Sequence, residues 1–321
     1  MSSQPAQSRY DVVVVGGAAA GLSAALVLAR SCRSVLVVDA GEPRNAAAAA
    51  VHGYLSRDGM SPTELLATGR AEVRRYGGEL VDGRVDAAVR HDDGFLVTLE
   101  SGAQVRGRRL LVTTGLVDEL PAVPGLAERW GREVVHCPYC HGWELRTARI
   151  AVLASGPDPV HPALLFRQWS PHVQYLQHTA DQPSASEREQ LAARDVAVVT
   201  GVVVGLEVAQ DRLAGVRLAG GELVPCDALV VAPQFVARTG LLTDLGLTPH
   251  CEPGGSCAVG DENGATAIRG VWVAGNVAEL ASQVVDAVAT GSRAAIAINS
   301  DLVDEDVERA VQARARHHVQ V

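Results

Sequence analysis

The sequence is poor in aromatic residues, which make up 4% of its 321 residues. A surface that stacks unpaired bases needs more of them, so single-stranded nucleic acid is not an expected ligand. Basic charge is in deficit as well. Lys and Arg total 28 against 37 Asp and Glu, a formal charge of −9. Neither a phosphate backbone nor an anionic membrane surface is then an expected partner. No apolar run reaches the ~18 residues that would suggest a bilayer span. The stretch 1–9 is short and polar, without the basic start, apolar centre and cleavage site of an export signal. A cytoplasmic location is expected, where structural disulfides are rare. Internal repeats beyond two βαβ patterns and low-complexity linkers are also missing.

Cysteine is sparse and unevenly placed. Of Cys32, Cys137, Cys140, Cys226, Cys251 and Cys257, only Cys137 and Cys140 are closely spaced. The other four read as small buried apolar residues. No second Cys-x-x-Cys or His-x-x-x-His is present to complete a zinc ribbon, so no metal site is expected.

What is present suits a large core. Apolar residues make up 47% of the chain, and its length suits about two domains of ~100–200 residues. The run Asp11–Val15, DVVVV, reads as a buried parallel strand. GGAAAG follows at 16–21, then a helical pattern through 22–31, then an apolar strand ending at Asp39. This is a dinucleotide-binding βαβ unit with the fingerprint Gly16-x-Ala18-x-x-Gly21 and an acid ~20 residues further on. Its middle glycine is alanine, a small intrusion that still allows phosphate on the helix N-terminus. The Asp39 carboxylate suits ribose hydroxyls and repels a 2′-phosphate, which favours FAD or NAD over NADP.

Further along, 41–62 reads as a loop with a short helix at its alanines. An amphipathic helix follows over 64–78, hairpin strands over 85–105 and an apolar strand at 108–116 closing on Thr114-Gly115. The segment 120–130 reads as a linker. A second βαβ pattern begins at Arg149, but its turn, ASGPDPVHP, lacks the glycines. Pro157, Pro159 and Pro162 have no N–H to offer a phosphate. The span 196–231 alternates like a β-meander. Finally 270–279, GVWVAGNVAE, is a strand and turn leading into a helix over 282–299, and the acidic segment 301–309 reads as a surface helix.

Between the two βαβ patterns lies His136–Glu144, HCPYCHGWE. Cys-x-x-Cys-His is the attachment pattern of c-type haem, two cysteines beside histidines can be half of a zinc site, and Cys-x-x-Cys is also a dithiol redox centre. Haem attachment of that kind needs an exported chain, and zinc lacks its second pair, so the first two readings are weakened.

The ordered set of fingerprint, Thr114-Gly115, central Cys-x-x-Cys, second βαβ and GVWVAGNVAE resembles the low-molecular-weight thioredoxin reductase family of flavoproteins over nearly the whole chain. The resemblance implies an α/β fold of two Rossmann-like three-layer domains, the second inserted in the first. A discontinuous FAD domain would take 1–118 and 246–321, and 119–245 would carry the redox pair with a degenerate NADPH-type site. Reductases of the family follow the pair with Asp-Gly, where this chain has His141-Gly142, and they carry Gly-Asp where this chain has Gly275-Asn276. With EPRN at 42–45 and HGYLSRDG at 52–59, these departures are similar to a branch of FAD-dependent dithiol oxidases, the gliotoxin and holomycin type, closest to its bacterial holomycin members. That branch closes a disulfide in a small-molecule dithiol and gives the electrons to O2.

The resemblance resolves the motif toward redox use. It implies attack by substrate at Cys137 and Cys140 placed next to the flavin. His141 is then the first choice of general base, Glu144 its orienting acid and His136 the alternative base. The FAD set is Gly16, Ala18, Gly21, Asp39, Arg44, His52, Val85, Thr114, Gly115, Gly275, Asn276 and Val284. A homodimer is expected. The competing expectation is a thioredoxin-disulfide reductase fed by NADPH or another donor, and a third is a flavoprotein that only sequesters a reactive dithiol.

Overall fold

The computed structural model describes residues 4–252 and 254–319. By internal packing the chain divides into two compact units, 1–44 with 63–117 and 237–321, and 45–62 with 118–236.

The first unit is built on a seven-stranded sheet. Its strands run in the order Glu79–Asp82, Val35–Asp39, Arg9–Val15, Gln104–Val112, Gly94–Leu99 and Val85–His91, and Val271–Val273 also pairs with Gln104–Val112. The long strand Gln104–Val112 divides its length. Residues 104–107 pair antiparallel with Gly94–Leu99, whereas Leu110, Leu111 and Val112 pair in parallel with Val271, Trp272 and Val273. Val12, Val13 and Val14 are fully buried, as expected of a central parallel strand covered on both faces. Helix Ala19–Arg30 is alanine-rich on its buried side, so the 36-residue helix Val284–Val319 approaches it closely. A Cβ at Gly291 would lie 2.2 Å from the Ala20 carbonyl oxygen. Arg108 and Arg109 reach from the sheet to Asp301, Glu305 and Asp306 on the long helix.

The second unit has a five-stranded parallel sheet in the order Ala197–Val199, Val173–Leu176, Ile150–Leu153, Ala228–Val230 and Val134–Val135. Helix Val160–Phe166 packs its Val160, Ala163 and Phe166 into one of this unit's two apolar clusters. The other cluster includes residues of an antiparallel sheet, Val203–Ala209, Arg212–Leu218 and Leu223–Pro225.

Several expectations are corrected. The span 196–231 is not one meander, because its first and last strands, 197–199 and 228–230, join the parallel sheet. Strict alternation cannot distinguish a short parallel strand from a neighbouring hairpin strand. The alanines at 46–50 form turns and bends rather than a helix. Ser184 and Glu187 form a reciprocal capping box on a helix, Ala185–Ala193, that was not expected. The segment 120–130 holds the short helix Leu126–Arg129. Of the four lone cysteines only Cys226 is buried, its thiol pushed up to about 12 mainly by burial. Residues 237–245, expected in the inserted domain, pack with the first unit. Arg238 N donates to the Gly115 carbonyl (2.9 Å), and Thr114 Oγ1 donates to the Arg238 carbonyl (2.8 Å). The excursion 45–62, expected in the FAD domain, packs with the second unit.

Candidate functional site

Two places in the molecule carry chemistry, one in each unit. In the first unit the strand Arg9–Val15 ends in the glycine turn. Gly16 has φ +105°, and a Cβ there would lie 2.5 Å from the Thr113 carbonyl oxygen. At Gly21 a Cβ would lie 1.9 Å from the Gly16 carbonyl oxygen. Ala18, where the fingerprint expects glycine, has φ −89° and ψ −162°. That extended conformation suits any residue, so the alanine costs no backbone strain. No side chain caps helix Ala19–Arg30, and its first N–H groups remain available to an anion.

Asp39 stands across this turn. Its Oδ1 accepts from Gly17 N and Gly41 N, both at 3.2 Å, and its Oδ2 pairs with Arg70. Gly16, Ala18, Asp39, Val85 and Thr114 share the wall of one cleft of about 700 Å³. Gly21 supports the turn from beneath, and Arg44 follows Pro43, a residue of the cleft wall. Gly115 holds the returning chain at Arg238. The uncapped helix, the glycines closed to any Cβ and the ribose-type acid fit the adenosine diphosphate part of FAD.

The remaining expected FAD residues lie elsewhere. Gly275 is on a second cleft, also of about 700 Å³, with His250, Asp261, Glu279 and Arg293. Val284 begins the long helix, partly buried. Asn276 Nδ2 donates to the carbonyls of Glu279, Leu280 and Ser282 at 3.0–3.1 Å. An ionised aspartate has no donor for these contacts, so the amide organises the turn before the long helix. His52 packs with the second unit, beside Glu144.

Sequence reasoning missed three residues of the cradle. Thr113 Oγ1 donates to the carbonyls of Val15 and Gly16, pinning the turn. Arg70 neutralises Asp39, and its Nε is buried without a partner. Arg238 also lines the cleft. The signal for Arg70 was a basic residue on an amphipathic helix, which does not by itself name a partner 31 residues away.

In the second unit Cys137 and Cys140 form a disulfide with Cα atoms 5.3 Å apart. Cys137 caps the short helix Pro138–His141, with proline at its first position, where no N–H is needed. Gly142 must be glycine, since a Cβ would meet the Pro138 carbonyl oxygen at 2.5 Å and the Trp169 ring at 2.7 Å. The compact turn places His141 directly after the pair. Its ring is largely buried, its Nδ1 has no hydrogen-bond partner, and burial is the main cause that lowers its pKa. The Cys137 carbonyl and Glu144 act against that shift, and His52 acts with it. His136 Nδ1 donates to the Val231 carbonyl at 3.0 Å, and its ring meets Phe235 edge-on at 5.2 Å. That anchorage makes His136 the less available base. Among the described residues no group of three or more His, Cys, Asp or Glu side chains is arranged to hold a metal ion.

The phosphate turn of the second unit has a different character. Ser155 Oγ takes the Ala232 N–H at 3.3 Å. Helix Val160–Phe166 begins from Pro159, and Asp158 Oδ1 faces His161 N at 3.4 Å. Pro157, Pro159 and Pro162 of this turn have no N–H to offer an anion, and the Asp158 carboxylate lies among them in the chain.

Comparison with known proteins identifies the family. The family model described as pyridine nucleotide-disulphide oxidoreductase matches residues 10–291. Thioredoxin reductase tcpT of Claviceps purpurea (strain 20.1) is 33% identical over 295 residues, covering 88% of this chain and 90% of that protein. Thioredoxin reductase sirT of Leptosphaeria maculans is 28% identical, covering 94% and 96%. The crystal structure of HlmI superposes with a TM-score of 0.90 at 47% identity, covering 95% of this chain and 96% of that one. An oxidoreductase from Agrobacterium tumefaciens gives a TM-score of 0.87 at 36% identity, covering 92% and 99%. The protein is a flavoprotein oxidoreductase that binds FAD, and it belongs to the pyridine nucleotide-disulphide oxidoreductase family with a thioredoxin reductase-like fold.

Proposed function

We propose that this flavoenzyme is a dithiol oxidase that closes an intramolecular disulfide in a small-molecule dithiol and reduces O2 to H2O2. Natural-product biosynthesis or self-protection is the setting we assign to it. What supports the reading is the second unit's turn, which carries Pro157, Pro159, Pro162 and the Asp158 carboxylate where N–H donors would serve a phosphate. With no seat for NADPH, electrons enter at Cys137 and Cys140.

The chain's own residues perform the exchange. Neutral His141 takes the proton from a substrate thiol whose free pKa is about 8.5. The resulting thiolate attacks Cys137 Sγ, a substrate–Cys137 disulfide forms, and Cys140 leaves as a thiolate. The second substrate thiolate attacks the substrate sulfur of that mixed disulfide and releases Cys137. The product is a cyclic disulfide, and the enzyme holds two thiols. Bound FAD supplies the two-electron acceptor for the dithiol and the connection to O2. Glu144 stabilises the imidazolium formed on His141.

We further propose that the enzyme is a cytoplasmic homodimer. Ile296, Val303, Val307 and Val311 recur along the long helix and are 45–63% exposed, an apolar stripe that a second copy would cover. Among the described residues no helix is long and apolar enough to cross a membrane.

The test is anaerobic mixing of the holoenzyme with dithiothreitol and, separately, with NADPH, followed through the flavin's visible absorbance. The dithiol is expected to bleach it and air to restore it with release of peroxide. Prompt bleaching by NADPH would make the protein a thioredoxin-disulfide reductase, the name its fungal relatives carry.

A further inference from the structure

The excursion 45–62 brings a second imidazole to the redox site. Val51 N donates to the Met60 carbonyl (2.8 Å) and Gly59 N to the Val51 carbonyl (2.9 Å), closing a small loop. Asp58 Oδ1 accepts from Gly53 N at 2.9 Å. These bonds fix His52 and Asp58 against each other, with His52 Nδ1 3.4 Å from Asp58 Oδ1. The opposite ring nitrogen, Nε2, lies 3.6 Å from Glu144 Oε1. Glu144 thus lies beside His52 and follows His141 by three residues.

We propose that Asp58 and His52 are positioning residues that hold Glu144 and so limit how strongly its carboxylate draws a proton onto His141. This rests on the reading of His141 as the base of a dithiol exchange. A general base is useful only while neutral. A buried imidazole beside an uncompensated carboxylate would become protonated more readily. The groups that act on His141 are the Cys137 carbonyl, Glu144 and His52. The next basic residue, Arg146, is turned away, its guanidinium 4.4 Å over the Trp143 ring and bonded to the Trp143 carbonyl. His52 and Asp58 are therefore the chain's means of moderating Glu144. Glu144 still favours the imidazolium once it forms.

The test uses holoenzyme labelled with 13Cε1-histidine and an NMR titration of His141, its signal assigned by loss in H141Q. In H52Q the His141 midpoint is expected to rise by about half a pH unit or more, because Glu144 is released from His52. D58N is expected to raise it less, and E144Q to lower it. An unmoved midpoint in both H52Q and D58N overturns the proposal. Loss of FAD from H52Q with the His141 midpoint unchanged also overturns it, assigning His52 to the cofactor. Oxygen consumption with dithiothreitol is measured separately. An enzyme that takes up no oxygen but shows the shift would sink the oxidase reading and leave this coupling intact.

Discussion

Each unit has a parallel strand that runs through a turn into a helix, but the two turns have opposite chemistry. In the first, Thr113 Oγ1 pins the backbone from the neighbouring strand while glycines keep the helix N-terminus open. In the second, Ser155 also ties its turn to the adjacent chain at Ala232, but the turn carries Asp158 and three prolines. The same architecture therefore does not imply the same ligand. What decides is whether the turn offers unpaired N–H groups or carries a carboxylate and prolines.

The comparison breaks most completely at Gly21. Gly21→Ala would put a methyl 1.9 Å from the Gly16 carbonyl oxygen. The purified variant is expected to lack FAD, as a spectrum and cofactor extraction would show, and to lose all turnover. A yellow, active G21A would mean that the first turn is not the cradle. If the second turn is closed to NADPH, all electrons enter through the disulfide. Cys140→Ser and Cys137→Ser should then each lower dithiol-dependent oxygen uptake about a thousandfold or more, with FAD retained.

A smaller loss is expected for His141→Gln, about 10²–10⁴-fold in kcat/KM. The pH profile sharpens the assignment. Burial lowers the proton affinity of His141, so its neutral, basic form persists below the ordinary histidine value of about 6.5. The wild-type rate should fall with an acid limb below that pH, and the limb should be missing in H141Q. The smallest effect concerns the second turn itself. Asp158→Ala removes one repulsive charge, and any gain in NADPH affinity by calorimetry should stay within about fivefold, because the prolines remain. Tight NADPH binding to the wild type would erase the comparison between the two turns.

The sequence revealed what depends on neighbours along the chain. Gly16, Gly21 and Asp39 form a motif because a strand, a turn and a helix follow one another directly, and Cys137, Cys140 and His141 sit on a single turn of chain. Partners brought together by folding were less visible. Arg70 meets Asp39 across 31 residues, and His52 approaches Glu144 from a segment that sequence order places with the flavin domain. Nothing local distinguishes these residues from solvated charges on a loop or helix. The missed helix Ala185–Ala193 is a different case, since its Ser184-x-x-Glu187 box was legible and was passed over. The short strands 197–199 and 228–230 were hidden because three-residue elements carry too little pattern to assign a sheet.

The strand Val271–Val273 pairs with Gln104–Val112, and Gly275 N is held by Thr290 Oγ1 at 3.1 Å. The first unit therefore cannot close its sheet until the ribosome has passed residue 273. Residues 45–62 and 118–236, by contrast, emerge earlier and contain all the strands of their own parallel sheet. During synthesis the unit with the reactive cysteines has its full complement of strands before the first unit does. Cys137 and Cys140 thus leave the ribosome before the last strand of the flavin-binding unit is made.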